Sequence, residues 1–476
     1  MNIFCGAGLI GRKSIHLWKE CGLKADFFLD NNSELWETEI EGVCVKSFEE
    51  IALIPEDSIF YITCNSVDII REQLLSLGIW EEKIKDCSDI LIMFGYAMQQ
   101  PEFKTQISTA NSVVNNDSEE ILFDLQNGLM LGGVESWSIQ TSHRLRDLGW
   151  KTGFLLNGLP AEKAEKDAGS WSKENLVLVK YREEMSVCGR IVHLSNYLVE
   201  TGCRNMIVNF VGHNLVAACL AKKNYPDKVK VIAVLHNDED VYYAWYRVFE
   251  KYIDRFFFIS QMIKDRMLKC GFPENKLEYL PWEIDCEEKL THAYTISGEP
   301  LRIGYAGRIE VRQKRLDRMV AVVKKLKEMR IHFRLELAGS GSYEEELKKQ
   351  IKEDNLENEM RLVGLLDPVD ISGFWERQDI MVSCSDWEGH SISQGEAMAN
   401  GVVPVVTDVS GVRDDVTDGE NGFIVEVGSV EQVVEKIVYL YEHRELLPIM
   451  GEKAHQTILI NNNAAKLERQ WQDMLI

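Results

Sequence analysis

Ser385-Asp-Trp-Glu-Gly-His-Ser-Ile-Ser-Gln-Gly-Glu-Ala-Met-Ala-Asn-Gly401 follows directly on the apolar run Ile380-Met-Val-Ser-Cys384 and leads into Val402-Val-Pro-Val-Val406. A short apolar run bounded by turn residues reads as a buried strand, and the Asn400-Gly401 pair is a helix stop. The stretch predicts strand, loop, a helix from about Ser393 and a second strand, the repeating unit of an open α/β sheet. Glu388 falls in the loop and Glu396 in the first helical turn, with seven residues between them. In such sheets ligands bind beyond the carboxyl ends of the strands. A helix start there offers unpaired N–H groups and a positive dipole end, which suit a phosphate. A second reading stays open, because Ser393-Gln-Gly-Glu396 is also a capping box that would tie Glu396 to its own helix.

The capping box leaves Glu388 unexplained, and it does not account for the cations upstream. Leu301-Arg-Ile-Gly-Tyr-Ala306 reads as a strand, followed by Gly307-Arg308, then Arg312-Gln-Lys-Arg315, then an amphipathic helix from about Leu316. Strand, glycine and cations at a helix start form a layout that neutralises a diphosphate without a metal.

From about Glu119 to Ile476 the chain resembles a retaining glycosyltransferase of family 4. The likeness rests on Leu131-Gly-Gly-Val-Glu135, Phe258-Ile-Ser-Gln-Met-Ile-Lys264, Leu335-Glu-Leu-Ala-Gly-Ser-Gly341, Arg361-Leu-Val-Gly364, the glutamate pair and Asp418-Gly-Glu-Asn-Gly-Phe423, in family order. It implies an α/β GT-B fold, two Rossmann-like domains facing an interdomain cleft. It also implies transfer of a sugar from a UDP- or GDP-linked donor to a glycan, glycolipid or glycoprotein acceptor, as in polysaccharide biosynthesis, with no cofactor or metal required.

The resemblance carries roles for particular residues. Arg308 and Lys314 would meet the diphosphate, with the backbone N–H groups of His390, Ser391 and Ile392 completing its cradle. Glu396 would accept hydrogen bonds from the ribose, a task that suits an acceptor-only carboxylate. Glu388 would face the donor sugar. Gly132 and Gly133 would let the first loop approach the diphosphate, and His213, after Val208-Asn-Phe-Val-Gly212, would line the sugar pocket. A histidine in that place is equally read as a hydrogen-bonded structural side chain, and His236 has a similar claim. The chain departs from the family at Ser391, where a glycine is common, and at Trp282-Glu283, where Asn-Gly is common.

Asp238-Glu-Asp240 is an acid-x-acid triplet of the kind that holds a divalent cation, although acid triplets arise readily among 76 acidic residues. The net charge of −23 disfavours nucleic acid as a partner, because that affinity comes from lysine and arginine meeting phosphates. Eleven cysteines scattered without a Cys-x-x-Cys pair read as reduced thiols. Met1 leads into a strand-like segment without a leader pattern, and the apolar runs fall well below the ~20 residues of a spanning helix. The expectation is a cytoplasmic protein, with room for peripheral contact at the inner face of the membrane.

At 476 residues the chain is too long for one core. Residues 1–96 read as a small Rossmann-like α/β domain and 97–120 as a polar linker. Residues 121–295 and 296–460 then read as the acceptor-side and donor-side halves, and 461–476 as a helix returning to the first half. In the small domain Gly6, Gly8 and Gly11 follow a strand and open a helix, and Asp30 closes the next strand, the local fingerprint of a dinucleotide site. Fewer than a hundred residues leave little room for a second mononucleotide half. The segment resembles the small domain preceding bacterial sugar acetyltransferases. Its readings are a docking or oligomerisation module, a nucleotide or nucleotide-sugar site, and a working dinucleotide site. For the whole chain a nucleotide-sugar epimerase, a non-catalytic nucleotide-sugar-binding protein and an oxidoreductase remain alternatives to a transferase.

Overall fold

The structure is a computed structural model describing residues 1–104, 120–125, 133–156, 176–179, 185–280, 282–461 and 464–475. The chain divides into two compact units, one of residues 1–234 and 241–255, the other of residues 235–240 and 256–475.

The first unit begins with Asn2–Cys5 (β1), Phe27–Leu29 (β2), Glu39–Ile40 (β3), Val43–Lys46 (β4), Ile59–Ile62 (β5) and Ile84–Asp86 (β6). They form one sheet in the order β3-β4-β2-β1-β5-β6, parallel except at β3. Phe4, Trp18, Phe28 and Tyr61 fill the space around its central strand, with ring centroids 5.1–5.7 Å apart. Offset and edge-on contacts of this kind add to the area that aromatic rings bury.

A second sheet in the same unit is built from Ile121–Asp124 (β7), Thr152–Leu156 (β8), Leu176–Leu178 (β9), Asn205–Val208 (β10) and Lys230–Leu235 (β11). Its order is β11-β10-β7-β8-β9, parallel throughout these pairs. Strands covered on both faces read as continuous apolar runs, which is how Ile121-Leu-Phe and Val231-Ile-Ala-Val-Leu235 announce themselves.

The His213–Asn224 helix joins the two sheets. Leu215 through Ala221 are each at most 1% exposed, so this helix is covered on every side. The Val187–Glu200 helix packs against it, and so does Ile90–Gln99, the last helix of the small sheet. Gln99 donates to the carbonyl of Val248 at 2.8 Å, and Tyr252 donates through its hydroxyl to the carbonyl of Met98 at 3.2 Å. At Gly95 a Cβ would stand 2.6 Å from the Phe249 ring and from Val248. Much of the polar stretch read as a linker, residues 105–119, lies outside the described residues, and the flanking elements share one compact unit.

Arg255–Phe258 (β12) runs into the second unit, where its Phe256–Phe258 pairs in parallel with Leu277–Tyr279 (β13). The closing helix, Ala464–Met474, sets Trp471 edge-on to Phe257 at 5.1 Å. A six-stranded sheet follows from Leu301–Ala306 (β14), Phe333–Ala338 (β15), Met360–Gly364 (β16), Ile380–Ser383 (β17), Val403–Thr407 (β18) and Phe423–Val425 (β19). The order is β16-β15-β14-β17-β18-β19. The chain therefore moves outward from β14 to β16 and returns to the other side of β14 with β17. At such a switch point neighbouring strands send their loops to opposite sides and a crevice opens between them. The loops after β14 and β17, which carry the cations and Glu388, are the two that flank it.

Among the described residues no helix is long and apolar enough to cross a membrane.

A chain beginning near Ser118 would lack the Ile90–Gln99 cover and expose the apolar His213–Asn224 helix. These contacts predict that the shortened chain is recovered as aggregate while the full chain stays soluble. Independently, Gly95→Leu overpacks the same contact and is expected to cost about 1–3 kcal/mol, measurable in a denaturant melt.

Candidate functional site

The site is assembled by the β14–β17 switch. After β17 the chain runs through Cys384 to Glu388, turns at Gly389 and enters the Ile392–Ala399 helix. A Cβ at Gly389 would lie 1.7 Å from the carbonyl oxygen of His236, so only glycine allows that approach. Ser391 is the N-cap, its hydroxyl accepting from the N–H of Gln394 at 3.3 Å. The helix thus starts at Ile392, and Ser393 lies inside it. The Ser393–Glu396 capping box is not formed, because the cap sits two residues earlier. Among the described residues, no hydrogen bond takes up the N–H groups of His390, Ser391 or Ile392.

Glu388 is buried, with 9% of its side chain exposed, and accepts from the Lys314 ammonium at 2.6 Å. Gln313 joins the pair from below: its amide donates to the Trp387 carbonyl at 2.9 Å and to Glu388 at 3.3 Å. Its carbonyl oxygen accepts from Arg308. Arg308 is mostly exposed, contacts Glu310 at 3.2 Å, and holds its own turn through a 2.8 Å bond from the Tyr305 hydroxyl to its carbonyl. Arg308, Lys314 and Glu388 therefore belong to one connected cluster. Sequence reasoning passed over Gln313, a neutral residue between cations. Its signal was position alone.

Arg315 is also more than its charge suggests. It adopts φ +53°, a left-handed conformation that costs a side chain energy. Two carboxylates hold it there, Asp317 at 2.7 Å and Asp386 at 2.8 Å. This turn delivers Lys314 on one side and the Leu316–Glu328 helix on the other.

Glu396 lies one turn into its helix, partly buried. Burial pushes its carboxyl up to about 7, the Trp375 indole pulls it down, and Asp285 adds repulsion. The ring of His390 is nearly buried and bridges the Ile259 carbonyl, 2.8 Å from Nδ1, and Asp415, 2.6 Å from Nε2. Burial opposes its charge, but the Asp415 carboxylate outweighs this and raises its pKa to about 9.

Of the residues proposed in the other half, His213 opens the His213–Asn224 helix. Its neighbour Asn214 donates to Asp124, at the end of β7, at 2.6 Å. Burial and then Arg190 lower the pKa of His213, against the pull of Asp89. Gly133 begins the Gly133–Asp147 helix, and Gly132 lies outside the described residues. His236 is buried beside Trp282, ring centroids 5.5 Å apart, and burial drives its pKa down to about 3. Asp238 and Asp240 both pair with Arg266, so the acid triplet already has a cation.

In the small sheet Gly6 turns with φ +110°, Gly8 precedes the Leu9–Glu20 helix in open space, and a Cβ on Gly11 would lie 2.0 Å from the Gly6 carbonyl oxygen. Asp30 accepts from the N–H of Ala7 at 2.7 Å and of Asn32 at 2.8 Å. The fingerprint is formed as a strand-turn-helix unit, with its acid bonded to its own loop.

Residues 287–457 match the family model described as glycosyl transferases group 1. The poly(glycerol-phosphate) alpha-glucosyltransferase of Bacillus subtilis (strain 168) is 32% identical over 134 residues, 28% of this chain and 19% of that protein. The poly(ribitol-phosphate) alpha-N-acetylglucosaminyltransferase of Staphylococcus aureus (strain COL) is 28% identical over 174 residues, 36% of this chain and 34% of that protein. The chain thus spans about a fifth and a third of the length of these relatives. The crystal structure of Anabaena HepE in complex with UDP-glucose has a TM-score of 0.61 at 17% identity, covering 75% of this chain and 98% of that one. At that identity the likeness concerns the fold, which is the α/β GT-B fold with parallel sheets.

Gln313→Ala removes the bridge between Arg308 and Glu388 and takes away the donor to the Trp387 carbonyl and to Oε2 of the buried Glu388. The expected loss of stability is about 1–3 kcal/mol, read as a shift in the denaturation midpoint.

Proposed function

We propose that the protein is a metal-independent, retaining glycosyltransferase that moves a sugar from a UDP- or GDP-linked donor to a glycan or glycolipid acceptor. The observation that carries this reading is the paired Lys314 and Glu388 beside a helix start whose first N–H groups have no protein partner among the described residues. A leaving diphosphate gathers negative charge in the transition state, and preorganised cations and N–H donors stabilise it there. Arg308, Lys314 and the N–H groups of His390, Ser391 and Ile392 are the donors of that kind. Arrival of a diphosphate competes for Lys314, which frees Glu388 to face the sugar as positive charge develops on its ring. Glu396, one turn further along, takes the ribose hydroxyls.

The relatives support the acceptor class, since two are named for polyol-phosphate polymers, and their alpha products are what retention yields from an alpha-linked donor. Peripheral contact with the inner membrane face and assembly through the small domain belong to the same proposal, as does His213 lining the sugar pocket. Positive charge from side chains and the helix start does the work that a divalent cation does elsewhere. Activity with UDP-glucose or GDP-mannose and a polyol-phosphate acceptor should therefore survive excess EDTA. Turnover abolished by EDTA and restored by manganese would overturn the metal-independent assignment.

The two glutamates should fail differently when changed. Glu388→Gln lowers kcat with little change in KM, and Glu396→Ala chiefly raises KM for the donor. Near-wild-type kinetics in both would remove the glutamate pair from the mechanism.

Glu396 also sets the acid limb of the pH profile. Its ionised form is the acceptor, and its pKa stands at about 7. Donor affinity should rise as pH climbs through that value, by about tenfold from pH 6 to 8 if only the ionised form binds. Glu396→Gln should flatten that limb in a calorimetric titration with UDP-glucose.

A further inference from the structure

A carbonyl oxygen only accepts hydrogen bonds, so the 2.8 Å contact between His390 Nδ1 and the Ile259 carbonyl requires a hydrogen on Nδ1. On the other side of the ring, Nε2 lies 2.6 Å from Oδ2 of Asp415. The second oxygen of that carboxylate accepts from the amide of Asn461 at 3.0 Å. Burial raises the Asp415 pKa, but His390 and Asn461 together hold it below the ordinary carboxylate value, so Asp415 is ionised and Nε2 carries a hydrogen as well. The ring is an imidazolium donating from both nitrogens.

This ring is the side chain of the middle residue of the 388–392 loop. Gly411 presses on the backbone beside it, where a Cβ would lie 2.7 Å from the His390 Cα, and Gly389 presses on the His236 carbonyl. The loop is gripped through its side chain and its glycine contacts, while the N–H groups of His390, Ser391 and Ile392 have no hydrogen-bond partner among the described residues. A backbone segment that offers its N–H groups to a ligand cannot use them to fix itself, and the imidazolium supplies the missing anchorage.

We propose that His390 is a positioning residue: its doubly donating imidazolium holds the loop from Glu388 to Ile392 in the shape that receives the donor diphosphate, and loss of its proton releases that shape. The inference rests on the reading of this loop as the diphosphate site.

The groups facing the ring define the switch. Asp415 and Asp414 come from the Val412–Asp415 helix, Asn461 from the Leu446–Asn461 helix, and the Ile259 carbonyl from the end of β12. Asp414 accepts from the Gln261 N–H at 3.0 Å, and Arg413 of the same helix is turned away to Asp408. His236, whose carbonyl meets Gly389, is neutral, its pKa being near 3. The charge balance at the ring is thus one imidazolium against two aspartates. When Nε2 loses its proton, a lone pair faces the Asp415 carboxylate and attraction becomes repulsion. The raised pKa sets the direction: the anchorage is complete below the ordinary histidine value and is lost as pH rises through about 9.

The test is the affinity of the full-length protein for UDP-glucose and GDP-mannose, measured by calorimetry from pH 7.5 to 10. That window lies mostly above the titration of Glu396, and the diphosphates keep their charge across it. The uracil and guanine N–H groups lose protons toward its upper end, so the wild-type profile is read relative to that of His390→Gln. For the wild type, Kd should be nearly level to pH 8 and, beyond the fall that His390→Gln also shows, about tenfold weaker by pH 10, the factor expected when one molecule in ten keeps the proton. His390→Gln should bind several-fold more weakly at pH 7.5 and keep only the fall due to the bases. Asp415→Asn should move the fall to lower pH, a displacement that damaged packing alone would not produce. A level wild-type profile, or a His390→Gln profile that follows the wild type, overturns the proposal. If His390→Gln unfolds, as judged by circular dichroism, His390→Asn takes its place as the reference. Failure of the wild type to bind either donor at any pH overturns the functional reading itself, and this inference with it.

Discussion

The loop between β17 and the Ile392–Ala399 helix has to leave several N–H groups without protein partners, and much of the second unit follows from that constraint. Backbone donors away from water are normally satisfied within the protein; here the N–H of Asp386 donates to the Gln313 carbonyl and that of Gln394 to the cap at Ser391, while among the described residues those of His390, Ser391 and Ile392 have no such partner. The loop is kept in place by contacts that spare those donors. Gly389 lies against the His236 carbonyl, His390 reaches out sideways to Ile259 and Asp415, and Glu388 is tied down by Lys314 and Gln313. Each anchor is a side chain or a missing one. The return of the chain to β17 beside β14 makes this possible, because it brings the cationic turn of one strand against the acidic loop of the other.

Charge alone could not have specified this cluster. Lys314 and Glu388 attract, but a nearly buried ion pair is a weak stabiliser once desolvation is counted, and its geometry must be fixed by further hydrogen bonds. Gln313 provides them, touching Arg308, Trp387 and Glu388 at once. The strained left-handed turn at Arg315 is held by Asp317 and Asp386, and Arg318 braces Asp386 in turn. Four of the five cations of the Arg308–Arg318 segment thus divide into two that remain near the ligand position, Arg308 and Lys314, and two that maintain the turn, Arg315 and Arg318. A sequence of alternating Arg, Gln and Lys does not distinguish those duties, because they depend on which carboxylate of a distant strand lies opposite.

What could be read beforehand was what is periodic or local. The strand at Leu301–Ala306, the helix from Leu316 and the strand-loop-helix around Glu388 follow from apolar runs and turn residues, and the structure moves the helix start by only one residue. The capping box failed because Ser391 and Ser393 are both acceptable caps by local chemistry. The choice between them was made by Gly389 and His390, whose tertiary contacts bend the chain early. The partners of His390 were equally hidden: Ile259 and Asp415 lie 131 and 25 residues away, and neither is marked by any pattern. The burial of the His213–Asn224 helix had a visible signal, Leu215-Val-Ala-Ala-Cys-Leu-Ala221, yet the sequence could not say that the small sheet supplies part of its cover.

The chain uses one device at both Gly6–Gly8 and Gly389–Ser391, a strand followed by a glycine turn and a helix start. Comparing the two shows why the motif alone does not define a ligand site. In the small sheet Asp30 reaches back to the N–H of Ala7, so an anion entering that turn meets a carboxylate and a donor already engaged. In the second turn the carboxylate of Glu388 is bound to a lysine, and among the described residues the N–H groups beyond it have no hydrogen-bond partner. Both turns have the glycines and the helix dipole. They differ in where the closest carboxylate is held, and an anion's preference between two otherwise similar helix starts follows from that difference.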